Sequence, residues 1–202
     1  QYCGLNRGND RLQRYRLTRE EILAAAGNVR AAGVKTVVLQ SGEEDNLDAD
    51  WLREIVEEIK SSLGAAVTLC VGERSREEYQ LWREAGADRY LLKIETSDPD
   101  LYGELHTGMS FENRRRCLRD LAELGYQTGS GNLVGLKGQT LRHLAGDVQF
   151  FKQGNFDMIS VSPFIPHPQT PLAEEPAGDL RMTLKMTALA RIVSRSAHIP
   201  AT

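Results

Sequence analysis

The residue of this sequence best suited to chemistry is a cysteine near its start. Cys3 lies in the short segment Tyr2-Cys3-Gly4-Leu5, and a thiolate in such a loop is a typical ligand of iron in iron–sulfur clusters. The three cysteines, at positions 3, 70 and 117, are odd in number and far apart. This spacing argues against a disulfide framework. Thiol chemistry at these cysteines is expected to be metal binding or catalysis; the alternative for Cys3 is a small side chain buried in the core.

Other candidate side chains follow or flank apolar runs. Ser41-Gly42-Glu43 comes directly after one run, and Glu95 ends another that also contains Lys93. A lone acid at position 95 has the alternative of pairing with Lys93 or Arg89. Arg114 opens a run of three arginines on a predicted helix. A guanidinium there is suited to bidentate binding of a carboxylate, whereas a run of arginines on a helix is usually a solvated face.

The elements that position these residues repeat along the chain. Helices are predicted to begin after Thr18 and Ser75, both with capping-box spacing, and after Asp48, Ser110, Thr140 and Asp179. Glycines close the helices, and a short apolar run follows each of them. The runs predicted as strands are Thr36–Gln40, Ala66–Val71, Arg89–Ile94, Gln127–Val134 and Met158–Val161.

This alternation predicts an α/β fold with parallel strands joined by crossover helices. Both a doubly wound sheet and a (β/α)8 TIM-type barrel agree with it, and in either fold the functional loops lie at the carboxyl ends of the strands. From the two chain ends we expect a partial barrel that lacks its first and last strands. We expect one domain over residues 1–202, with a loop at 1–16 and successive helix–strand units at 17–202.

Composition limits the class of partner. The chain has 202 residues, 41% of them hydrophobic, with a formal net charge of -3 and a pI near 5.9. These values predict a soluble globular domain and give no electrostatic reason for nucleic acid or an anionic membrane as partner. No apolar stretch is long enough to span a membrane, and the start is too polar for a signal peptide. We therefore expect a cytoplasmic protein.

The order of several segments resembles a known family. Tyr2-Cys3-Gly4-Leu5 resembles the cluster loop of radical S-adenosylmethionine (SAM) enzymes. Five further segments are similar to the FeFe-hydrogenase maturase family HydE: 14–18 (RYRLT), 38–43 (VLQSGE), 85–92 (AGADRYLL), 110–114 (SFENR) and 163–168 (PFIPHP). The resemblance runs essentially from end to end.

The resemblance implies two cofactors, a [4Fe-4S] cluster and SAM. It implies Cys3 as the third cluster ligand, with the second just before Gln1. The residues it implies for SAM are Tyr2, Ser41, Gly42, Glu43, Glu95 and Arg114, where Ser41 replaces a family glycine and Glu95 meets the ribose or sulfonium side. The residues it implies for the substrate pocket are Thr68, Lys93 and Thr202. Lys93 stands where the family has arginine; lysine keeps the positive charge but lacks the planar guanidinium that binds a carboxylate through two hydrogen bonds.

The function that the resemblance implies is maturation of the diiron site of FeFe-hydrogenase. A 5′-deoxyadenosyl radical made from SAM would act on a small, cysteine-bound iron complex, with ferredoxin or flavodoxin as electron donor and other maturases as partners. One alternative is a lysine mutase that makes methylornithine, or another biotin-synthase-like enzyme. An alternative of a different class is a barrel that binds an anion without radical chemistry. We expect the 202 residues alone to be inactive.

The four histidines are not expected to take part in the chemistry. His167 lies in a proline-rich loop and is expected to form a rigid loop wall. His106, His143 and His198 are expected at the surface.

Overall fold

The computed structural model describes residues 1–200. Five strands alternate with seven α-helices along this part of the chain. The helices are α1 (Arg19–Ala31), α2 (Ala49–Glu58, continued by a π-helical turn at Ile59–Leu63), α3 (Arg76–Glu84), α4 (Pro99–Leu105), α5 (Phe111–Glu123), α6 (Leu141–Gly154) and α7 (Leu180–Val193). The strands are β1 (Thr36–Gln40), β2 (Ala66–Cys70), β3 (Arg89–Leu91), β4 (Gln127–Val134) and β5 (Met158–Pro163).

The strands form one parallel sheet in the order β1-β2-β3-β4-β5. Thr36 pairs with Ala66 and Gln40 with Cys70 in the β1–β2 register, and Gly129 pairs with Met158 in the β4–β5 register. Sequential order with parallel pairing requires a crossover after every strand, and helices supply those crossovers. The predicted α/β fold and its parallel strands are thus confirmed, although β3 is shorter than the predicted run Arg89–Ile94.

The helices begin where the capping residues predict. Thr18 and Ser75 each close a capping box with the glutamate three residues later, and Thr140 does the same with His143. These side chains satisfy backbone N–H groups that a helix leaves unpaired at its start. Among residues 1–200, no helix is both long and apolar enough to cross a membrane.

One helix, α4, is absent from the sequence-based prediction. Asp98 accepts from the backbone N–H of Asp100 and Leu101, and Pro99 occupies the first helical turn. An N-capping aspartate followed by proline is a recognised helix start, so the signal was present. The helix is only seven residues long and lacks a glycine at its end, which explains why the periodicity did not reveal it.

The chain divides into two compact units. The first unit comprises Gln1–Gln13, Leu92–Arg115 and the chain from Gly129 onward. Its core includes a cluster of buried residues from α4, β4 and the loops after β4 and β5, against which Tyr2 packs: Leu101, Leu105, Leu133, Leu136 and Phe164. The first residues of the chain are therefore anchored on this core by an aromatic ring.

The second unit comprises Arg14–Leu91 and Arg116–Thr128. Its core contains the fully buried Trp82, Tyr79 and Tyr90. The Tyr79 and Tyr90 rings meet edge to face with 5.0 Å between centroids, and Tyr126 contacts Tyr90 in the same way at 5.9 Å. Such edge-to-face contacts add to the stability gained from burial of the rings.

Candidate active site

The loop around Cys3 presents an exposed thiol on a hydrogen-bonded turn. The backbone N–H of Leu5 lies 3.4 Å from the Cys3 sulfur as a donor, and the Cys3 carbonyl oxygen accepts from the backbone and the side-chain amide of Asn6, at 3.0 and 2.8 Å. A backbone donor directed at a sulfur stabilises thiolate and tunes an iron–sulfur cluster bound by it. The exposure of Cys3 excludes the alternative of a buried core side chain.

The proline-rich loop after β5 supports this turn from behind. A Cβ atom on Gly4 would come within 2.7 Å of the His167 ring, so only glycine fits there without a shift. The side-chain amide of Asn9 donates to the Gly4 carbonyl oxygen at 2.7 Å and to the Gln169 side-chain oxygen at 3.0 Å. His167 thus forms a wall against the loop, as its setting among prolines predicts.

Glu95 has an unusual backbone conformation. Its φ is 62°, in the left-handed region that residues with a Cβ atom rarely adopt. The Glu95 N–H donates to the Gly131 carbonyl oxygen at 2.9 Å, its own carbonyl accepts from the Leu133 N–H at 3.0 Å, and it forms a bridge with Asn132. Strained residues of this kind cluster at functional sites, where surrounding contacts hold them in place.

The Glu95 carboxylate is buried with few partners. Its Oε1 accepts from the Tyr2 hydroxyl at 3.3 Å, and its Oε2 lies 3.3 Å from the Lys93 ammonium nitrogen without forming a hydrogen bond. Pairing with Lys93, one of the alternatives for this acid, therefore occurs alongside the contact with Tyr2. A buried carboxylate oxygen with no hydrogen-bond donor is costly for a fold, which suits an atom kept for a ligand.

His106 links the cluster loop to α4, and its expected place at the surface is wrong. Its Nδ1 lies 3.2 Å from the Tyr102 carbonyl oxygen and its Nε2 lies 3.3 Å from the Tyr2 hydroxyl. A carbonyl only accepts, so Nδ1 carries the proton and Nε2 is an acceptor, which competes with Glu95 Oε1 for the single hydroxyl proton of Tyr2. Burial, helped by the Arg114 cation, lowers the pKa of His106 to about 4. Burial and then Glu95 raise the pKa of Tyr2 well above its ordinary value.

Arg114 belongs to the same group of contacts. It is 5% exposed, and its Nε donates to the Tyr102 hydroxyl at 3.1 Å. The Tyr102 ring stacks on His106 with 4.1 Å between centroids. A continuous series of contacts thus joins Arg114, Tyr102, His106, Tyr2 and Glu95, all within the first unit. The structure therefore brings Tyr2, Lys93, Glu95 and Arg114 together, and Tyr2 directly precedes the turn that carries Cys3.

The candidates Ser41, Gly42 and Glu43 lie in the second unit, after β1. The Ser41 N–H donates to the Cys70 carbonyl oxygen at 3.0 Å, which continues the β1–β2 pairing. The Glu43 carboxylate accepts from the Glu73 N–H at 2.7 Å and lies where a Cβ atom on Gly72 would be. Gly72 thus allows the Glu43 side chain to bind the loop after β2.

The three candidates for the substrate pocket are placed differently. Thr68 is buried in β2, opposite Val38, in the second unit. Lys93 lies in the first unit, and a Cβ atom on Gly131 would approach its Cε to 3.1 Å and the Ser160 carbonyl oxygen to 2.1 Å. The glycine at 131 therefore has a packing reason of its own. Thr202 lies outside the described residues.

The described residues fit the two implied cofactors to different extents. Among residues 1–200, no three His, Cys, Asp or Glu side chains group closely enough to hold a metal ion; Cys3, exposed and with a backbone donor at its sulfur, fits one ligand position of an iron–sulfur cluster. The buried Glu95 Oε2, which pairs with the Lys93 ammonium group but accepts no hydrogen bond, fits a hydroxyl or cationic group such as SAM carries. Both fits rest on side chains that the fold holds in place.

Comparison with known proteins supports membership of the radical SAM superfamily. The profile of the radical SAM superfamily matches residues 1–151. The chain is 54% identical over 201 residues to the [FeFe] hydrogenase maturase subunit HydE of Thermotoga maritima, covering 100% of this chain and 58% of that protein. It is 31% identical over 202 residues to 3-methylornithine synthase of Methanosarcina acetivorans, covering 99% and 57% of the two chains.

The fold comparison agrees. The crystal structure of methylornithine synthase (PylB) superposes with a TM-score of 0.91 at 29% identity, over 99% of this chain and 59% of that one. The structure is thus that of part of a TIM-type barrel, as the sequence predicts. The chain spans under two thirds of the length of each of these relatives. Because the family profile matches residues 1–151 of its 202, the chain belongs to the radical SAM superfamily.

Proposed function

We propose that this chain is the core of a radical SAM enzyme that matures the diiron site of FeFe-hydrogenase. The observation that carries the proposal is the 54% identity to a HydE maturase across 201 residues, against 31% to a methylornithine synthase across 202. The substrate is proposed to be a small cysteine-bound iron complex. The contacts around Glu95 support SAM binding by the first unit.

The residues of this chain take separate roles in the proposal. Cys3 is a cluster ligand, and the turn around it keeps the thiolate exposed. When bound, the cluster and SAM supply the one-electron cleavage that yields a 5′-deoxyadenosyl radical. Glu95 binds the ribose or sulfonium side of SAM, and Arg114 binds its carboxylate, a task suited to a guanidinium.

The series of contacts in the first unit supports these roles, because it holds the Glu95 and Arg114 side chains in place before SAM binds. Tyr2 has one hydroxyl proton, which it shares between Glu95 Oε1 and His106 Nε2, both 3.3 Å away. Tyr102 holds Arg114 through its hydroxyl and His106 through its ring. Preorganised polar groups that need no rearrangement are what a SAM site requires for orienting its ligand.

Several parts of the proposal reach beyond this unit. Ser41, Gly42 and Glu43 are proposed to bind SAM through the loop after β1, and Thr68, Lys93 and Thr202 to serve the substrate pocket. A cytoplasmic location, ferredoxin or flavodoxin as electron donor, and the other hydrogenase maturases as partners are proposed from the family. Residues 1–202 as one barrel domain, with a cluster loop at 1–16, remain a prediction.

A second candidate function is a lysine mutase that makes methylornithine. The TM-score of 0.91 with methylornithine synthase favours it, since this value covers 99% of the chain. The two candidates share cluster and SAM and differ in substrate, so a substrate assay separates them.

The test uses the protein encoded by the complete reading frame that contains this chain. This protein is reconstituted with iron and sulfide in the absence of oxygen. With a reductant, we expect SAM to be converted to methionine and 5′-deoxyadenosine. The same protein is expected to restore FeFe-hydrogenase activity in a host that lacks its own HydE, and to make no methylornithine from lysine. Methylornithine without restored hydrogenase would select the second candidate. Absence of both a cluster and SAM cleavage would select the anion-binding barrel.

A further inference from the structure

Asp147 is a buried carboxylate on α6 for which the proposed function has no use. It is 0% exposed. Its Oδ1 accepts from the backbone N–H of Ser97 at 2.6 Å, and its Oδ2 accepts from the side-chain amide of Asn132 at 2.8 Å. Burial raises the pKa of Asp147, and these two hydrogen bonds act in the opposite direction. A carboxylate taken out of water is expensive for the fold, so its position calls for a reason.

Both donors to Asp147 flank Glu95. Ser97 follows Glu95 by two residues, in the segment that leads to α4. Asn132 lies on β4 and is the bridge partner of Glu95. The Asp147 carboxylate therefore ties together the two segments whose backbones hold Glu95, and it does so from a third element, α6.

The conformation of Glu95 needs such a constraint. A residue with a Cβ atom at a φ of 62° persists only where its surroundings exclude the alternatives. The two backbone hydrogen bonds of Glu95 to β4 fix its peptide groups, and Asp147 fixes both the segment that follows Glu95 and the facing residue Asn132 of β4. Relaxation of φ to a negative value would rotate the side chain away from Tyr2 and Lys93.

We propose that Asp147 is a positioning residue for the SAM site: by binding Ser97 and Asn132, it keeps Glu95 in the left-handed conformation that directs its carboxylate at SAM. This inference rests on the proposed function, in which Glu95 contacts SAM. Asp147 itself touches neither SAM nor the cluster in this account.

The test is a double-mutant cycle on SAM affinity. Asp147→Ala is made with Glu95 present and in the Glu95→Ala background, in the complete protein with its cluster oxidised, so that SAM binds without being cleaved. Equilibrium dialysis gives the Kd for SAM. If Asp147 acts through Glu95, the affinity falls about tenfold with Glu95 present and changes less than about twofold without it, since residues that act as one unit are not additive.

Two further variants separate positioning from simple loss of stability. In Asp147→Asn, the side-chain oxygen still accepts from Ser97. The new amide can donate to Asn132 Oδ1, which accepts no hydrogen bond in the described structure, once the Asn132 amide group flips so that its oxygen replaces Nδ2 at this contact. We expect this variant to keep an affinity within about threefold of the parent. Asp88→Ala is the matched control, because Asp88 also accepts a backbone N–H, that of Val67 at 2.8 Å. It is expected to lower Tm without changing the Kd.

Each outcome is decisive. An equal loss of affinity in both backgrounds, or none in either, would overturn the inference. If Asp147→Ala does not fold, Asn132→Ala, which removes one of the two donors, takes its place in the cycle. A parent protein that binds no SAM, or an unchanged Kd in Glu95→Ala alone, would overturn the proposed role of Glu95. The premise of the inference about Asp147 would fall with it. A loss in Glu95→Ala with none in Asp147→Ala would overturn only the positioning role.

Discussion

The left-handed backbone of Glu95 predicts that glycine is more stable than alanine at this position. Both substitutions remove the carboxylate, so they differ only by the Cβ methyl group of alanine and its effect on the backbone. At a φ of 62° an L-residue with a Cβ atom carries about 1–2 kcal/mol of strain, which glycine avoids. Glycine also has more freedom to lose on folding, at roughly 0.5–1 kcal/mol relative to alanine. We therefore expect Glu95→Gly to unfold with a free energy about 0.5–1 kcal/mol above that of Glu95→Ala.

The assay is unfolding by urea and by heat, at matched protein concentration. For a domain of this size the difference corresponds to a Tm about 1–4 °C higher for the glycine variant. Asn155, exposed and also left-handed with a φ of 46°, should show the same order of glycine above alanine. Ala32, exposed with a φ of -74°, should show the reverse order when changed to glycine.

The reasoning would be refuted by one result. If Glu95→Ala is as stable as Glu95→Gly while both control positions behave as expected, the backbone at Glu95 is not strained in the protein. Both Glu95 variants should lose SAM affinity alike, because the carboxylate is gone from each of them.

Three more measurements test the site. Arg114→Ala should weaken SAM binding by about tenfold or more, because a buried guanidinium is lost, while Arg116→Ala should leave the Kd unchanged; equal effects would remove Arg114 from the site. The pKa of about 4 for His106 lies below that of an unfolded histidine. The neutral His106 therefore makes its full contribution to the free energy of unfolding above pH 6.5, and this contribution is lost as pH falls toward 4. His106→Gln should therefore flatten the pH dependence of the free energy of unfolding by about 3 kcal/mol at most. Cys3→Ser should abolish the visible absorption of the reconstituted cluster, and replacement of either other cysteine should leave it intact.

Most of the fold was predictable because its signals are local. The capping boxes at Thr18 and Ser75 and the glycines that end the helices depend on residues three or four positions apart. The apolar runs of the strands are equally local. Helix α4 was missed although Asp98 and Pro99 mark its start, because seven residues are too few for a clear periodicity.

The site was predictable in its residue types but not in its contacts. Glu95 and Arg114 stood out through the family resemblance, yet nothing in the sequence indicated that His106 would lie between Tyr2 and Tyr102. That contact depends on α4, which the prediction lacked. The left-handed φ of Glu95 was equally hidden, since it is imposed by hydrogen bonds to residues more than thirty positions away.

The contact between Gly4 and the His167 ring has a consequence for how the protein is made. The side chains that support the loop around Cys3 leave the ribosome long after Cys3 does. Gln169, for example, follows its partner Asn9 by 160 residues. Until then the loop lacks the His167 ring and the Gln169 side chain that it contacts in the folded protein. If Cys3 is a cluster ligand as proposed, we expect iron and sulfide to be loaded after the proline-rich loop has been synthesised, and a nascent chain stalled before His167 to be unable to retain a cluster.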